Sequence, residues 1–101
     1  MIGIIGFGRF GKLTTGYLAE DFDVFVFNRS DKSAEIKKCG ASNASLKTVC
    51  QQRIVILCVP ISTLEEVLVE IGPFLNKDSV VVDVCSVKVY PTRWMKASLP
   101  G

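Results

Sequence analysis

Short apolar runs alternate with segments of helical periodicity along the chain. The runs occupy residues 2–5, 23–27, 54–59 and 80–84 and are rich in Val, Ile and Phe, which favour strands. Residues 54–59 (IVILCV) contain no polar position, which is typical of a strand covered on both faces. Residues 41–43 form a short, weaker candidate. The pattern therefore predicts five strands.

Helix signals lie between these runs. Residues 31–39 begin at Asp31, which suits an N-cap, and stop before Gly40, a residue that often follows a helix. Residues 44–51 are predicted as one polar helix. Residues 10–20 are predicted as the first helix from apolar residues at helical spacing, namely Phe10, Leu13, Tyr17 and Leu18.

A further helix is predicted after the fourth strand, which Pro60 ends. Ser62 or Thr63 can cap it. Its inner side is predicted to hold Leu64, Val67, Leu68 and Ile71. The tail offers one more short helix over residues 91–98.

Strands that alternate with helices predict a parallel sheet with right-handed crossovers. The predicted fold class is α/β, a doubly wound sheet with strand order 3-2-1-4-5. The 101 residues suffice for one domain, which spans residues 1–101.

Composition narrows the function classes. Apolar residues make up 49% of the chain and the net charge is +2, so we expect no nucleic-acid partner. No apolar stretch approaches the roughly 20 residues that span a bilayer, and the N-terminus lacks a secretory pattern, so we expect no membrane partner. A cytoplasmic location is predicted.

The cysteines do not indicate a metal site. The chain has four cysteines without C-x-x-C spacing, and it has no histidine. Cys58 and Cys85 lie in apolar strand patterns, where a thiol behaves as a small apolar group. We expect buried, reduced cysteines and no metal.

Residues 6–11 read Gly-Phe-Gly-Arg-Phe-Gly, a G-x-G-x-x-G pattern between the first predicted strand and the first predicted helix. In this context the pattern favours a dinucleotide site, and the alternative is a purely structural turn between strand and helix. The first glycine permits a tight turn, the second lets the pyrophosphate approach the backbone, and the third lets helix and strand pack closely. The phosphates would lie on the positive end of the helix. We therefore predict a Rossmann domain, with Arg9 either over the pyrophosphate or solvated.

The end of the second strand indicates which dinucleotide binds. NAD-binding domains carry a carboxylate there, about 20 residues past the glycines, to hold the ribose 2′-hydroxyl. This chain has Asn28, Arg29 and Ser30 instead. A guanidinium and a hydroxyl can hydrogen-bond a 2′-phosphate, and Lys32 adds charge nearby. The predicted cofactor is NADP rather than NAD, although a solvated turn arginine is the alternative for Arg29.

The glycine loop, residues 29–31 (RSD), residues 58–60 (CVP) and above all residues 82–88 (VDVCSVK) resemble the prephenate/arogenate dehydrogenase family. The resemblance runs along essentially the whole chain and is closest to the NADP-using arogenate dehydrogenases. Such enzymes act in tyrosine biosynthesis on a small molecule, arogenate or prephenate. Hydride passes to the nicotinamide, carbon dioxide departs and the ring becomes aromatic.

The resemblance also implies roles for particular residues. Ser86 would face the nicotinamide and the substrate hydroxyl, which makes it the candidate catalytic residue, whereas its position alone also suits a cap or turn. Lys88 is more typical of a structural or solvated residue. The backbone of residues 58–60 would line the nicotinamide-ribose side, or simply end the strand. The predicted cofactor-binding residues are Gly6, Phe7, Gly8, Arg9, Phe10, Gly11, Asn28, Arg29, Ser30, Cys58, Val59, Pro60 and Ser86.

Two parts of the family are expected to be absent. One is the general-base histidine after a sixth strand, and the other is a helical C-terminal domain that dimerises and completes the substrate pocket. Without a sixth strand, residues 80–84 would form an exposed apolar edge. Either the tail covers that edge or two chains pair along it as a homodimer.

Two other functions fit the same fold. One is a related NADP-dependent reductase of the β-hydroxyacid dehydrogenase or pyrroline-carboxylate reductase type, which shares the glycine loop but differs at the end of the fifth strand. The other is a nucleotide-sensing module without catalysis, like those attached to ion channels. The fold alone does not separate them.

We predict that the purified 101-residue chain binds NADP but oxidises neither prephenate nor arogenate. General-base catalysis needs a proton acceptor within hydrogen-bond reach of the substrate hydroxyl, and the chain has no histidine. NADPH formation with each substrate measures this directly. Robust turnover would contradict the prediction.

Overall fold

The computed structural model describes residues 1–83 and 88–91, the latter without their side chains. Within these residues, strands and helices alternate. The strands are β1 Ile2–Ile5, β2 Val24–Phe27, β3 Ser42–Asn43, β4 Ile54–Leu57, β5 Val80–Asp83 and β6 Lys88–Pro91. The helices are α1 Arg9–Leu18, α2 Ser33–Lys38, α3 Leu46–Cys50 and α4 Ile61–Ile71, with a 3₁₀ turn at Gly72–Phe74.

All six strands form one sheet in the order β3-β2-β1-β4-β5-β6. The pairs among β1 to β5 are parallel, which confirms the predicted α/β fold and its 3-2-1-4-5 order. β1 is central, with Gly3 beside Phe25 on one side and Val55 on the other. The carboxyl ends of β1, β2 and β4 therefore meet at one edge of the sheet.

The sequence did not predict β6. It pairs antiparallel with β5, with Val80 beside Pro91 and Asp83 beside Lys88. Of the two outcomes expected for this edge, the structure therefore shows the first, in which the chain's own later residues cover it. Pro91, predicted to begin a helix, ends this strand, and the rest of that predicted helix lies outside the described residues.

The core lies on both faces of the sheet, as a doubly wound fold requires. One cluster contains Ile4 and Val26 together with Ile36 of α2. The other contains Ile5 and Leu57 with residues of α3 and α4. Neighbouring residues of β1 thus enter opposite clusters, which explains why this strand reads as a continuous apolar run.

The apolar spacing predicted the first helix correctly, but most of the residues that carry it do not pack on the sheet. Phe10, Leu13 and Tyr17 are 59%, 64% and 74% exposed. The buried residues of α1 are Gly11 and Thr15, whose hydroxyl donates to the Gly11 carbonyl oxygen at 2.7 Å. Small side chains let the helix lie close to the strands, so these three large residues lie on the outer side, whereas Leu18 packs against the core cluster of Ile4 and Val26.

Two predicted N-caps were displaced. α2 begins at Ser33 with Lys32 as its N-cap. Asp31, which precedes the N-cap by one residue, accepts the Ser33 N–H at 3.0 Å. The N-cap of α4 is Pro60, and the Thr63 hydroxyl donates to the Pro60 carbonyl oxygen at 3.0 Å. The predicted inner side of α4 is confirmed, with Val67 and Ile71 buried and Leu64 and Leu68 packed against the same cluster.

Gly3 permits an approach that the sequence pattern did not reveal. A Cβ atom on Gly3 would collide with the carbonyl oxygen of Val49 and lie 2.8 Å from its Cγ1. The backbone of α3 therefore packs directly on the central strand.

We predict that Gly3→Ala lowers the free energy of unfolding by about 1–3 kcal/mol, because α3 must move away from β1 to admit a methyl group. Urea denaturation measures this. Gly16→Ala is the matched control, since a Cβ there meets nothing within 4 Å and alanine favours the helix. We expect the control to gain up to about 1 kcal/mol. Equal stability of the two variants would contradict the close approach.

The described cysteines differ in burial. Cys50 is fully buried, whereas Cys39 and Cys58 are partly exposed, so the expectation of buried cysteines was wrong for Cys39 and Cys58. Cys85 lies outside the described residues. Burial, together with the negative charge of Glu70, raises the pKa of the Cys50 thiol to about 12. This thiol therefore stays protonated near neutral pH.

We predict that iodoacetamide modifies Cys50 far more slowly than Cys39 or Cys58 in the folded chain, because the thiolate is the nucleophile. Peptide mass spectrometry after timed labelling gives the three rates. Unfolding in urea should bring the rate at Cys50 close to the other two. Rapid labelling of Cys50 under native conditions would show that its burial is not maintained in solution.

Candidate functional site

The site begins where β1 turns into α1. Gly6 has a φ of +101°, and a Cβ there would lie 2.6 Å from the carbonyl oxygen of Cys58. A Cβ on Gly11 would collide with the Gly6 carbonyl oxygen and lie 3.3 Å from the Cys58 Cβ. Both glycines are therefore required for the loop and helix to pack against the end of β4, as predicted for the first and third glycines.

Gly8 has a different role from Gly6 and Gly11. It is the N-cap of α1 and has no side chain with which to cap it. A Cβ on Gly8 would meet nothing within 4 Å, so the space beside it is open. The first intrahelical bond is Lys12 N–H to the Gly8 carbonyl oxygen at 2.9 Å, which leaves the preceding N–H groups directed out of the helix end. Such an end attracts anions.

Asn28 joins the glycine loop to the turn after β2. Its Oδ1 accepts the backbone N–H of Phe7 at 2.9 Å. Its Nδ2 donates to the Ser30 carbonyl oxygen at 3.0 Å and to Ser30 Oγ at 2.9 Å. Since Ser30 Oγ is the acceptor, its own proton can donate to a further group.

Two charged residues flank this turn. The Nη2 of Arg29 lies 3.3 Å from Glu70 Oε2 on α4, and the two side chains are 67% and 47% exposed. Asp31 accepts the backbone N–H of Ser33 and, at 2.7 Å, its hydroxyl. These two hydrogen bonds lower the pKa of Asp31, whose charge is thereby held at the start of α2.

The loop, the turn and the end of β4 enclose a cleft of about 850 Å³. Eleven of the predicted cofactor-binding residues line it: Gly6, Phe7, Gly8, Arg9, Phe10, Asn28, Arg29, Ser30, Cys58, Val59 and Pro60. Gly11 lies beneath the loop, where it is buried. Ser86 lies outside the described residues.

The cleft also contains residues that motif reasoning missed. Its other lining residues are Ile5, Phe27, Leu46, Thr63, Val67, Glu70 and Ile71. The apolar ones extend the core cluster of α3 and α4 up to the cleft. Val67 and Ile71 were predicted on the inner side of α4, but only as core residues. The motif reasoning did not connect Glu70 to a turn 41 residues earlier.

Other kinds of site are not evident in the described part of the chain. No group of three or more His, Cys, Asp or Glu side chains there is placed to hold a metal ion. None of its helices has the length and apolar character needed to cross a bilayer.

The chain shares sequence and fold with known dehydrogenases. The family model for the prephenate dehydrogenase nucleotide-binding domain matches residues 19–101. Arogenate dehydrogenase from Synechocystis is structurally similar, with a TM-score of 0.78 and 23% identity over 97% of this chain and 38% of that one. No curated protein sequence matches significantly.

A conserved hypothetical protein from Sinorhizobium meliloti 1021 is also similar, with a TM-score of 0.77 and 17% identity. This likeness again covers 97% of the present chain and 38% of the other. The chain thus spans about two fifths of the length of either structural neighbour. Both likenesses show that the fold is shared. With four fifths of its residues matched by the family model, the chain belongs to the family of prephenate dehydrogenase nucleotide-binding domains.

Proposed function

We propose that the chain binds NADP in the cleft and serves as the cofactor-binding domain of a dehydrogenase that oxidatively decarboxylates arogenate or prephenate. The observation that carries the choice of NADP is the turn after β2. Asn28 holds this turn against the glycine loop, and the turn presents the guanidinium of Arg29 and the hydroxyl of Ser30 at the cleft. Family membership supports the nicotinamide cofactor and the reaction class.

The pyrophosphate is assigned to the N-terminus of α1. The open space beside Gly8 fits a phosphate, which a side chain at that position would displace. Arg9 lines the cleft and adds positive charge to the first turn, where an anion offsets both the charge and the helix dipole. These residues fit a dinucleotide better than they fit an empty structural turn.

The 2′-phosphate is assigned to Arg29 and Ser30. A guanidinium presents planar pairs of N–H donors that match a phosphate, and the Ser30 hydroxyl can donate one further bond. The position that holds a carboxylate in NAD-binding domains is occupied here by Asn28. Its amide already bonds the glycine loop and Ser30, so this position stabilises the phosphate-binding turn without repelling the phosphate.

The nicotinamide end is assigned to residues 58–60, which follow β4, and to Ser86, which comes after β5 in the sequence. Open α/β sheets place their ligands beyond these strand ends. When bound, the nicotinamide supplies the hydride acceptor. Residues 58–60 would bound the ribose side of the ring, and Ser86 would contact the substrate hydroxyl. The chain has no histidine to take up the hydroxyl proton, so its own role is to bind and orient the cofactor.

We predict that the chain binds NADP at least about ten-fold more tightly than NAD, and that Arg29→Ala removes most of this difference. A charge-assisted bond to phosphate contributes about 1.5–3 kcal/mol, which corresponds to roughly 10- to 100-fold in affinity. NAD affinity should change little. Isothermal titration calorimetry with both nucleotides measures the effect. Equal affinity of the wild type for NADP and NAD would refute the assignment.

Asn28→Asp provides an independent variant for the same assignment. It keeps an acceptor for the Phe7 N–H but replaces the amide donor with a negative charge, so NADP should weaken more than NAD. Asn43→Asp adds the same charge at an exposed position of β3 that does not line the cleft. We expect the control to leave the ratio of the two affinities unchanged. A similar shift in both variants would mean that only net charge matters.

A further inference from the structure

Glu70 is the one acidic residue among those that line the cleft in the described part of the chain. It lies in the last turn of α4, whereas its partner Arg29 follows β2. Their side chains meet at 3.3 Å although the residues are 41 positions apart. The ion pair therefore joins the two walls of the cleft at the end where the turn after β2 lies.

The stability of the fold does not depend on a carboxylate at this position. The apolar side chains that line the same cleft belong to or pack on the core cluster: Phe27, Leu46, Val67 and Ile71. Both charges are about half or more exposed, and exposed ion pairs stabilise a fold by at most about 1 kcal/mol. Glu70 consequently has little effect on stability but directly affects the availability of Arg29.

From this geometry we infer that Glu70 is a specificity-determining residue that acts as an internal counter-ion to Arg29. In the free protein it occupies the guanidinium that a 2′-phosphate requires. This inference rests on the proposed NADP site. A nucleotide with a 2′-phosphate must displace the carboxylate, whereas a nucleotide without one has no group that competes for Arg29 and leaves the pair in place.

The exchange sets how strongly the site prefers a 2′-phosphate. The phosphate carries more charge than the carboxylate and bonds the guanidinium at least as well, so it displaces Glu70. Glu70 thus lowers the affinity for 2′-phosphorylated nucleotides, because the phosphate must first break the ion pair.

The test compares 2′,5′-ADP with 5′-AMP, which differ only in the 2′-phosphate, by titration calorimetry on the full chain. Glu70→Gln keeps the size of the side chain and removes its charge. We expect it to tighten 2′,5′-ADP binding about two- to five-fold, the range that an exposed ion pair allows, and to change 5′-AMP binding much less. Glu65→Gln, on the same helix but away from the cleft, should change neither.

A double variant separates an effect through Arg29 from direct repulsion of the phosphate. In an Arg29→Ala background the gain from Glu70→Gln should fall by at least half, because there is no guanidinium to release. An undiminished gain would mean that Glu70 acts on the phosphate directly and would overturn the counter-ion role. Weaker 2′,5′-ADP binding by Glu70→Gln alone would overturn it too, since Glu70 would then be holding Arg29 in place.

The two proposals fail in different ways. If wild type prefers 2′,5′-ADP and Arg29→Ala removes the preference, the NADP site stands whatever Glu70 does. If that preference is present but Glu70→Gln does not tighten 2′,5′-ADP binding, only the counter-ion role is overturned. If wild type binds both probes equally, both proposals are overturned.

Discussion

The close approach of α1 to the ends of β1 and β4 is the constraint on which the rest of the cleft depends. Gly6 and Gly11 leave no room for a Cβ between the loop, the helix and the backbone of Cys58. Because the helix lies so close, its first turn opens directly onto the carboxyl edge of the sheet. Phe7 is brought within hydrogen-bond reach of Asn28 at the end of β2. Any side chain in this contact would separate the phosphate-binding elements from one another.

The same constraint explains why the strands were easier to predict than the helix faces. A strand buried on both sides must be apolar throughout, so β1 and β4 were visible in the sequence as uninterrupted runs. Helical spacing identifies residues that share a face but not the face that packs on the sheet. In α1 the contact requires small residues, Gly11 and Thr15, so the more apolar face lies outside. β6 was missed because its four residues, KVYP, include a lysine and a proline and carry no strong strand pattern.

The candidate site was predictable to the extent that it consists of continuous motifs. The glycine loop, the turn after β2 and residues 58–60 each follow a strand, and parallel strands bring their ends together. Contacts between distant segments were not predictable in this way. Glu70 lies in the polar pattern of an amphipathic helix and looks like any solvated glutamate there. Only the packing of α4 against the sheet places it beside Arg29.

Asn28 has a consequence for how any ligand is held. One side chain bonds the backbone of the glycine loop through its oxygen and the Ser30 turn through its nitrogen. The glycine loop and the Ser30 turn are therefore held by the same side chain, and a shift of one is coupled to the other. Free energies of groups bound through a shared element do not sum. Half-molecules that fill one region can thus report a difference between two nucleotides at that region, but their separate affinities should not add up to that of a ligand that spans both.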